Sequence, residues 1–322
     1  MDVILGVDGG NTKTDLLAAT TEGEPLAYVR GPGSNSHAVG SEGCVEVVAT
    51  LVEQAALGTP VGHGAFFLCG ADVPADIAEL TDALDRRAWV RDAIVDNDTF
   101  ALLYAGSESP DAVAVVCGAG LNCVGRSGDG RAARYPSLGW ETGDWGGSEP
   151  LGRDVVFHAV RGEDGRGEPT ALSRLVRTHF DLPSVAAVGE AIHYGRIPPQ
   201  RVGELAPAVV AAAAGGDAVA RRLVGRLADE IVLMAVRAFH DLGLARGDVV
   251  LGGGMLQEGF LVEEVVTRLR ERLAGARPVV VTEPPVLGAA LAALDAAGAA
   301  DGARERLRTA LRTFPRKDVS AG

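Results

Sequence analysis

Three glycine turns, each placed directly after an apolar run, are the features of the sequence most suited to chemistry. Their letters are DGGNTK at residues 8–13, CGAG at 117–120 and GGG at 252–254. Glycine lets a backbone approach an anion closely and point successive N–H groups at it, so such turns can bind phosphates without a lysine. One glycine-rich hairpin turn is usually only a turn. Three of them, each at a strand end, favour phosphate binding.

The first turn does not fit two common phosphate-binding motifs. A P-loop needs a glycine immediately before its Lys-Ser/Thr pair and a helix after it, whereas Lys13 follows Thr12 and precedes an alternating, strand-like stretch. Gly6, Gly9 and Gly10 lack the spacing of a dinucleotide fingerprint, and no helix begins at this turn. The pattern that remains is strand, glycine turn, strand.

The segments before residue 108 predict an α/β unit with the order βββαβα. Apolar alternation and the tight turn at residues 22–23 predict an antiparallel meander for the first three strands. The predicted elements are the strands VILGVDGG, TKTDLLAAT and PLAYVRGPG, a helix over 43–56, a strand over 65–69, a helix after Pro74, a strand over 89–95 and a short helix opened by residues 96–99.

The same pattern restarts at Ala112, where AVAVVCGAG, LNCVGRS and RAARYPS again read as strand, glycine turn, strand, turn, strand. Two copies of one unit favour a duplicated fold whose two domains face each other across a cleft. The remaining predictions are an irregular loop over 138–152, helices over 217–242, over 260–273 and from Val286, strands at DVVLGGGM and PVVVTE, and a charged tail after Asp301 with a frayed end.

Composition narrows the classes of protein to consider. The 322 residues, 47% of them hydrophobic, suffice for two domains with separate cores. A net charge of -13 would repel nucleic acid and anionic membrane surfaces, and no apolar run reaches the roughly 20 residues that span a bilayer. The N-terminus has no basic leader, and the four cysteines form no CxxC pair. We therefore expect a cytoplasmic protein with reduced thiols, no nucleic-acid partner and no membrane partner.

Three stretches of the sequence carry a resemblance to a known superfamily. DGGNTKTD, CGAGLNC and VVLGGGM are similar to the first phosphate motif, second phosphate motif and adenosine motif of the actin, Hsp70 and sugar-kinase superfamily. Within it, the chain resembles the N-acetylglucosamine kinases over roughly residues 3–295. Their wider family also contains the activator ATPases of benzoyl-CoA reductase and 2-hydroxyacyl-CoA dehydratase.

The resemblance implies an α/β fold of two ribonuclease H-like (actin-like ATPase) domains. The expected boundaries are residues 1–108 for the N-terminal domain, completed by a C-terminal helix at about 286–312, and 109–285 for a C-terminal domain with inserted helices. It also implies ATP and Mg²⁺ as cofactors, a homodimer, and phosphorylation of the 6-hydroxyl of an amino sugar. N-acetylglucosamine is the expected substrate.

The nucleotide-binding residues follow from the resemblance. Asp8 would hold the magnesium through water, because magnesium dehydrates reluctantly. Lys13 could add positive charge near the phosphates, and an exposed lysine on a hairpin without a ligand is an equal alternative. For Asn11, the alternative to phosphate binding is that its side chain only stabilises the turn. The phosphate and adenosine turns comprise Gly10, Asn11, Thr12 and Lys13, then Gly118, Ala119 and Gly120, and finally Gly252, Gly253 and Gly254.

The resemblance also implies a catalytic base at the start of the short helix after residue 95. A kinase of this type needs a carboxylate that accepts the proton of the attacking hydroxyl. Asp98 matches that position, with Asp96 as the competing candidate. An Asp before an apolar helical run is also a common N-cap, and the two roles can coexist.

The sugar-binding residues implied by the resemblance lie in three loops. They are Asn35 in GSNSH, Asn122 beside the second phosphate turn, and Gly139, Trp140 and Asp144 in GWETGDWGG. Asn and Asp side chains that donate and accept hydrogen bonds suit a neutral polyol, and the base Asp98 would also contact the sugar.

Other functions remain open from the sequence. Ala119 stands where many relatives have Thr, so glucosamine or another amino sugar is an alternative substrate. An activator ATPase would need cysteines that share an iron–sulfur cluster across a dimer, and Cys117 and Cys123 are poorly placed for it. A sugar sensor without activity is the third possibility, which the retained Asp8 and Asp98 disfavour. The zinc signature of the bacterial repressor and sugar-kinase family is absent, so that branch is disfavoured.

Overall fold

A computed structural model of the chain describes residues 2–57 and 61–319, which form two compact units. The first unit contains the residues up to Glu108, a short segment Arg134–Pro136, and the residues from Val281 onward. The second unit contains Ser109–Ala133 and Ser137–Val280. Each unit has its own sheet, of six strands in the first and five in the second.

The strands in chain order are β1 (Val3–Gly9), β2 (Lys13–Thr20), β3 (Pro25–Pro32), β4 (Val61–Leu68), β5 (Val90–Asn97), β6 (Ala112–Cys117), β7 (Leu121–Arg126), β8 (Ala132–Arg134), β9 (Gly247–Gly252), β10 (Ala276–Val280) and β11 (Lys317–Asp318). The α-helices are α1 (Ser36–Ala55), α2 (Pro74–Asp85), α3 (Thr99–Gly106), α4 (Ser148–Glu163), α5 (Leu172–Phe180), α6 (Val185–His193), α7 (Ala206–Ala214), α8 (Ala218–Leu242), α9 (Phe260–Arg272), α10 (Pro285–Ala296) and α11 (Ala303–Leu311). Short 3₁₀ turns lie at Trp140–Thr142 and Pro199–Leu205.

The first sheet has the strand order β11-β3-β2-β1-β4-β5. Strands β1, β2 and β3 form an antiparallel meander, whereas β4 and β5 continue parallel to β1. The carboxyl ends of β1, β4 and β5 therefore lie at one edge of the sheet. Ligands of open α/β sheets bind outside such strand ends.

Helix α10 packs unusually close to β1 and α3 in the first unit. A Cβ on Gly6 would lie 2.3 Å from the backbone nitrogen of Ala290, and a Cβ on Gly288 would lie 1.8 Å from the carbonyl oxygen of Ala101. Contacts this short leave no room for any side chain, so both positions require glycine. The close packing fixes α3, whose first turn follows Asp98, against the sheet.

The second sheet has the order β10-β9-β6-β7-β8, with β6 antiparallel to β7 and parallel to β9. It repeats the strand, glycine turn, strand arrangement of β1 and β2. The two sheets confirm the predicted α/β class with a duplicated unit. Among the described residues, no single helix is long and apolar enough to cross a membrane; only the bent pair of helices Pro199–Ala214 and Ala218–Leu242 meets that test together.

Several predicted boundaries were wrong. The helical stretch α1 begins at Ser36, seven residues before the predicted start at 43, and Asn35 caps it. Gly40, with φ of 76°, is not helical and divides α1 into two helical segments, the second of which contains the predicted start. Strand β4 begins at Val61 instead of 65, and β8 is limited to three residues.

The predicted irregular loop over 138–152 is regular in part, and the charged tail adds a strand after the predicted C-terminal helix at about 286–312. The predicted loop over 138–152 contains a 3₁₀ turn, and α4 begins inside it at Ser148. The charged tail forms α11 and then β11, whose Lys317 and Asp318 pair with β3. Residues 320–322 of the predicted frayed end lie outside the described residues. The charged pattern concealed the strand because a two-residue edge strand has no detectable alternation.

Candidate functional site

The carboxyl edge of the first sheet brings together residues that are far apart in sequence. In the strand registers Gly9 lies beside Leu68, and Leu68 lies beside Asn97. The Cys69 N–H donates to the Gly9 carbonyl oxygen at 2.6 Å. Asp8 from β1 and Asp98 after β5 therefore belong to one edge, as the motif order predicts.

The first glycine turn is held by backbone hydrogen bonds. The Gly10 N–H donates to the Lys13 carbonyl at 2.9 Å, and the Ser34 N–H donates to the Gly10 carbonyl at 3.0 Å. Asn11, Thr12 and Lys13 are exposed. The Lys13 ammonium lies 3.9 Å from a carboxylate oxygen of Asp15, with 48% of the side chain exposed.

The carboxylate of Asp8 is buried without a close cation. Burial raises its pKa well above the ordinary value, and the negative charges of Asp98 and Asp15 raise it further, against Lys13 and Arg30. The two cations that lower its pKa, Lys13 and Arg30, form their ion pairs with Asp15. A carboxylate among other carboxylates suits a bound divalent cation, which would favour its ionised form, and oxygen is the ligand that Mg²⁺ prefers.

Asp98 occupies the N-cap position of α3, but its side chain makes no capping hydrogen bond. Burial raises the pKa of Asp98 to about 7, and the charge of Asp72 contributes, while the nearby backbone N–H groups of Thr99 and Asp98 oppose the shift. The helix start is instead bonded by Asn97, whose Oδ1 accepts from the Thr99 N–H at 2.9 Å. The capping role that competed with catalysis is thus carried by Asn97.

Asp96, the competing candidate base, has its carboxylate bound by an arginine. The Arg134 guanidinium donates to both oxygens, at 3.2 Å and 2.5 Å, and also lies over the ring of Phe100. Both oxygens of Asp96 therefore already accept hydrogen bonds from an arginine. The geometry favours Asp98 over Asp96. Sequence reasoning could not find Arg134, which lies 38 residues away.

Asn35, a predicted sugar ligand, also makes hydrogen bonds within the protein. Its Oδ1 accepts from the His37 N–H at 2.9 Å as the N-cap of α1, and its Nδ2 donates to the Asn11 side-chain oxygen at 2.5 Å. One amide hydrogen and part of the oxygen's capacity remain for a ligand. The structure therefore links the predicted sugar loop directly to the first glycine turn.

In the second unit, the turn at 118–120 interlocks with the start of α4. The Ser148 N–H donates to the Gly118 carbonyl at 2.8 Å, and the Glu149 N–H donates to the Ala119 carbonyl at 3.1 Å. A Cβ on Gly147 would lie 2.4 Å from the Ala119 carbonyl oxygen. The helix N-terminus is capped by the turn itself, which is why α4 begins inside a stretch that looks irregular in sequence.

The third glycine turn lies beside the second. Gly252 ends β9 next to Val116 of β6, and the Met255 N–H donates to the Cys117 carbonyl at 3.0 Å. Gly253 has φ of 92°, and a Cβ there would lie 2.4 Å from the same carbonyl oxygen. Both glycine turns of this unit therefore meet at the carboxyl edge of its parallel strands.

Three glycines in these turns have no internal reason to be glycine. No atom of the described residues lies within 4 Å of a Cβ built on Gly118, Gly120 or Gly254, and none of the three has a positive φ. A side chain there would fill space beside the turns instead of clashing with the protein. This is the space that a phosphate or nucleoside approaching the backbone needs, so these residues fit ATP.

The other predicted sugar residues lie in β7 and in the loop before α4. The side-chain oxygen of Asn122 accepts from the Cys123 N–H and the Ser137 hydroxyl, both at 2.7 Å. The Asp144 carboxylate accepts from the Thr142 hydroxyl, and Gly139 precedes the 3₁₀ turn with φ of 89°. Trp140 is 83% exposed.

Trp145, which the sequence did not single out, anchors the loop that carries Asp144. It is buried, and the Arg226 guanidinium lies 3.8 Å from its ring centroid. Arg226 is in turn bound by Asp154 at 3.1 Å. Its position next to Asp144 was the only signal, because the arginine partner lies 81 residues later.

The two cysteines of the second unit are buried and do not lie on a surface that a partner chain could contact. Cys117 and Cys123 have no exposed surface. Burial raises the pKa of Cys117 to about 12 and that of Cys123 further. An iron–sulfur cluster needs thiolates. These two residues therefore do not suit a cluster shared across a dimer.

Comparisons with known proteins find matches over most of the chain. The BadF/BadG/BcrA/BcrD ATPase family matches residues 5–293 of the chain. An N-acetyl-D-glucosamine kinase from Dictyostelium discoideum is 24% identical, covering 91% of this chain and 98% of the relative. An N-acetylmuramic acid/N-acetylglucosamine kinase from Clostridium acetobutylicum is 27% identical, covering 82% of this chain and 89% of the relative.

Solved structures share the fold. A candidate N-acetylglucosamine kinase from Chromobacterium violaceum superimposes with a TM-score of 0.70 at 22% identity, covering 91% of this chain and 99% of the other. A ROK family glucokinase from Streptomyces griseus, solved with glucose and AMPPNP, gives a TM-score of 0.55 at 20% identity, covering 90% and 98%.

Proposed function

We propose that this chain, which belongs to the BadF/BadG/BcrA/BcrD ATPase family, is an ATP-dependent kinase that phosphorylates the 6-hydroxyl of N-acetylglucosamine. Family membership confirms the relationship predicted from the three motifs. The two relatives named as N-acetylglucosamine kinases, at 24% and 27% identity, support the choice of an amino-sugar kinase within the family.

The observation that carries this proposal is the state of Asp98. Its carboxylate is not used as a helix cap, and burial first and Asp72 second raise its pKa to about 7. A general base works best when its pKa is near the working pH. Asp98 would accept the proton of the attacking hydroxyl as its oxygen bonds to the γ-phosphorus of ATP and the bond from that phosphorus to the leaving ADP breaks.

The remaining residues would bind and position the two substrates. In the first unit, the turn Gly10 to Lys13 offers exposed backbone donors, and Asn35 would bind a sugar hydroxyl. In the second unit, Gly118 and Gly120 would approach the phosphates, Gly254 the nucleoside, and Asn122 and Asp144 the sugar. Positioning of this kind supplies most of the rate of phosphoryl transfer, since the reaction needs little covalent chemistry from the protein.

Magnesium would be held at Asp8. The oxygen donor and the buried, otherwise unpaired carboxylate fit this ion, which would neutralise phosphate charge when it is bound. The proposal includes two further expectations, a cytoplasmic location and a homodimer; the dimer rests on the resemblance alone. Sedimentation of the purified protein would test the dimer.

A panel of sugars tests the proposed function. ATP consumption is measured with N-acetylglucosamine, glucosamine, N-acetylmannosamine, N-acetylmuramic acid and glucose, and the product of the best substrate is mapped by phosphorus and proton NMR. We expect N-acetylglucosamine to give the highest kcat/KM, with phosphate on the 6-oxygen. Sugar-independent ATP hydrolysis together with an iron–sulfur absorption band in anaerobic protein would instead identify an activator, and no ATP consumption would identify a sensor.

A further inference from the structure

The loop over residues 138–145 makes its hydrogen bonds with itself. The N–H groups of Thr142 and Asp144 both donate to the Gly139 carbonyl, at 3.1 Å and 3.0 Å, and the Leu138 N–H donates to the Thr142 hydroxyl at 3.0 Å. Within the part of the chain that the structure describes, no hydrogen bond joins residues 138–145 to another element. The position of this loop therefore depends on side-chain packing.

Trp145 supplies that packing at the end of the loop. Asp144 is half-buried, and Trp145 is buried. The turn at 118–120 packs against Gly147, which fixes the chain only from that residue onward. Because glycine accepts many backbone directions, Gly146 and Gly147 do not by themselves fix the path of the chain before them. The Trp145 side chain therefore determines where Asp144 lies.

Arg226 covers one face of the Trp145 ring. The central carbon of its guanidinium lies 3.8 Å from the ring centroid, which is a close cation–π contact. The same guanidinium donates to the Asp154 carboxylate at 3.1 Å, so its position over the ring is also fixed from α4. Arg226 thus joins three parts of the second unit, namely α8, α4 and the loop that carries Asp144.

We propose that Arg226 is a positioning residue for sugar binding, acting on Asp144 through the Trp145 ring. The inference rests on the proposed function, because it assigns Arg226 to a sugar ligand of that reaction. Without the guanidinium, one face of the ring loses its cover, and the loop samples further positions about the two glycines that follow Trp145. The Asp144 carboxylate then meets the sugar hydroxyls less often. The two glycine turns of this unit lie outside the loop and keep their contacts, so ATP binding persists.

The test compares Arg226→Met, Trp145→Leu, the double variant with both changes, and Arg222→Met with the wild-type protein. Met removes the cation but keeps an unbranched side chain, and since 48% of Arg226 and 31% of Asp154 are exposed, the change leaves no fully buried charge. Arg222→Met is the matched control, because Arg222 lies about one turn earlier on α8 and pairs with Glu168 at 3.0 Å, outside the loop. For each protein, kcat, the KM for ATP, the KM for N-acetylglucosamine and the urea unfolding midpoint are measured.

We expect Arg226→Met to raise the KM for N-acetylglucosamine by about tenfold, with kcat and the KM for ATP within about threefold of wild type, because it loosens a binding contact and leaves the reacting groups in place. Trp145→Leu should raise the same KM by at least as much. The double variant should match Trp145→Leu, since Arg226 acts only through the ring. Arg222→Met should keep the wild-type KM for both substrates.

Three results would each overturn the inference: an unchanged KM for N-acetylglucosamine in Arg226→Met, equal increases in Arg226→Met and Arg222→Met, or increases that multiply in the double variant. A lower unfolding midpoint with wild-type kinetics in Arg226→Met would assign Arg226 to stability alone and also overturn it. If Trp145→Leu does not fold, the comparison of Arg226→Met with Arg222→Met decides. A wild-type protein that phosphorylates no sugar overturns the proposed function and this inference with it, whereas an active wild type with an unimpaired Arg226→Met overturns the inference alone.

Discussion

Arg30 binds the carboxylate of Asp15 through two hydrogen bonds of 2.7 Å each, across neighbouring strands of the first sheet. Asp15 has no exposed surface, whereas 23% of the Arg30 side chain is exposed. Asp15 also lies opposite Asp8 in the register of β1 and β2. The charge of Arg30 therefore supports a buried carboxylate directly behind the proposed magnesium ligand.

Replacing Arg30 by Met should destabilise the protein by about 3–5 kcal/mol, because it leaves the Asp15 carboxylate buried without its partner. Urea unfolding measures the change in the free energy of unfolding. Arg237→Met is the control: Arg237 pairs with Asp241 on the surface of α8, and its loss should change stability by less than about 0.5 kcal/mol. Equal effects of the two changes would contradict the assignment of a buried ion pair.

Asp98→Asn should lower kcat by about 10²- to 10⁴-fold, because the amide cannot accept the hydroxyl proton. ATP and sugar binding, measured by calorimetry, should persist. Asp96→Asn should reduce turnover much less, since Asp96 is held by Arg134. Near-wild-type turnover in Asp98→Asn would refute its role as the base.

The difference in melting temperature between Asp98→Asn and the wild-type protein should depend on pH. The folded pKa of Asp98, about 7, lies above its ordinary value of 3.8. The folded state thus binds the proton more tightly, and wild-type stability should fall as the pH rises from about 4 to 7. The Asn side chain resembles the protonated acid, so the melting temperature of the variant should exceed that of wild type by more at pH 8 than at pH 5.

The pH profile of kcat/KM should report the charge of Asp72. Asp98 must be ionised to accept a proton, so activity should rise with pH through an apparent pKa near 7, the value that burial first and Asp72 second produce. Asp72→Asn removes the negative charge and should move this rise to lower pH. A rise at the same pH in both proteins would show that the Asp72 charge does not reach Asp98.

Gly120→Ala should impair the use of ATP, whereas Gly253→Ala should lower the stability of the protein. A Cβ on Gly120 meets no atom of the part of the chain that the structure describes within 4 Å, so stability should change by less than about 0.5 kcal/mol, while kcat/KM for ATP falls by roughly tenfold. Gly253→Ala combines φ of 92° with a 2.4 Å contact to the Cys117 carbonyl, and should cost more than about 2 kcal/mol. Thermal unfolding and ATP kinetics separate the two, and wild-type ATP kinetics in Gly120→Ala would contradict phosphate binding at this turn.

Thr99→Val should leave stability unchanged or raise it by about 1 kcal/mol. The Thr99 hydroxyl is buried and has no hydrogen-bond partner within the described residues. The variant therefore removes a polar group whose loss of hydration on folding is not offset by a hydrogen bond. Thr14→Val is the matched control, because the buried Thr14 hydroxyl donates to Ser34 at 2.8 Å. It should cost about 1–2 kcal/mol in urea unfolding. A larger loss in Thr99→Val than in Thr14→Val would contradict the unpaired state of Thr99.

The sequence by itself determined the strand, glycine turn, strand repeats, the α/β class and the family. Alternation and glycine turns are local signals, because each depends on residues within a few positions of one another. The same locality explains why α4 and β11 were mispredicted. The start of α4 is capped by the carbonyls of Gly118 and Ala119, and β11 exists only because β3 offers it an edge.

Only the tertiary structure decided between the roles of neighbouring polar residues. Asp96 and Asp98 look equivalent in VDNDTF, yet Arg134 binds Asp96, while the half-buried Asp98 makes no side-chain capping bond. Asn35 caps helix α1. Asp72 contacts Asn97 because the sheet order places the ends of β4 and β5 side by side. The chemistry of a carboxylate depends on burial and on partners distant in sequence, and only strand order and register supply both.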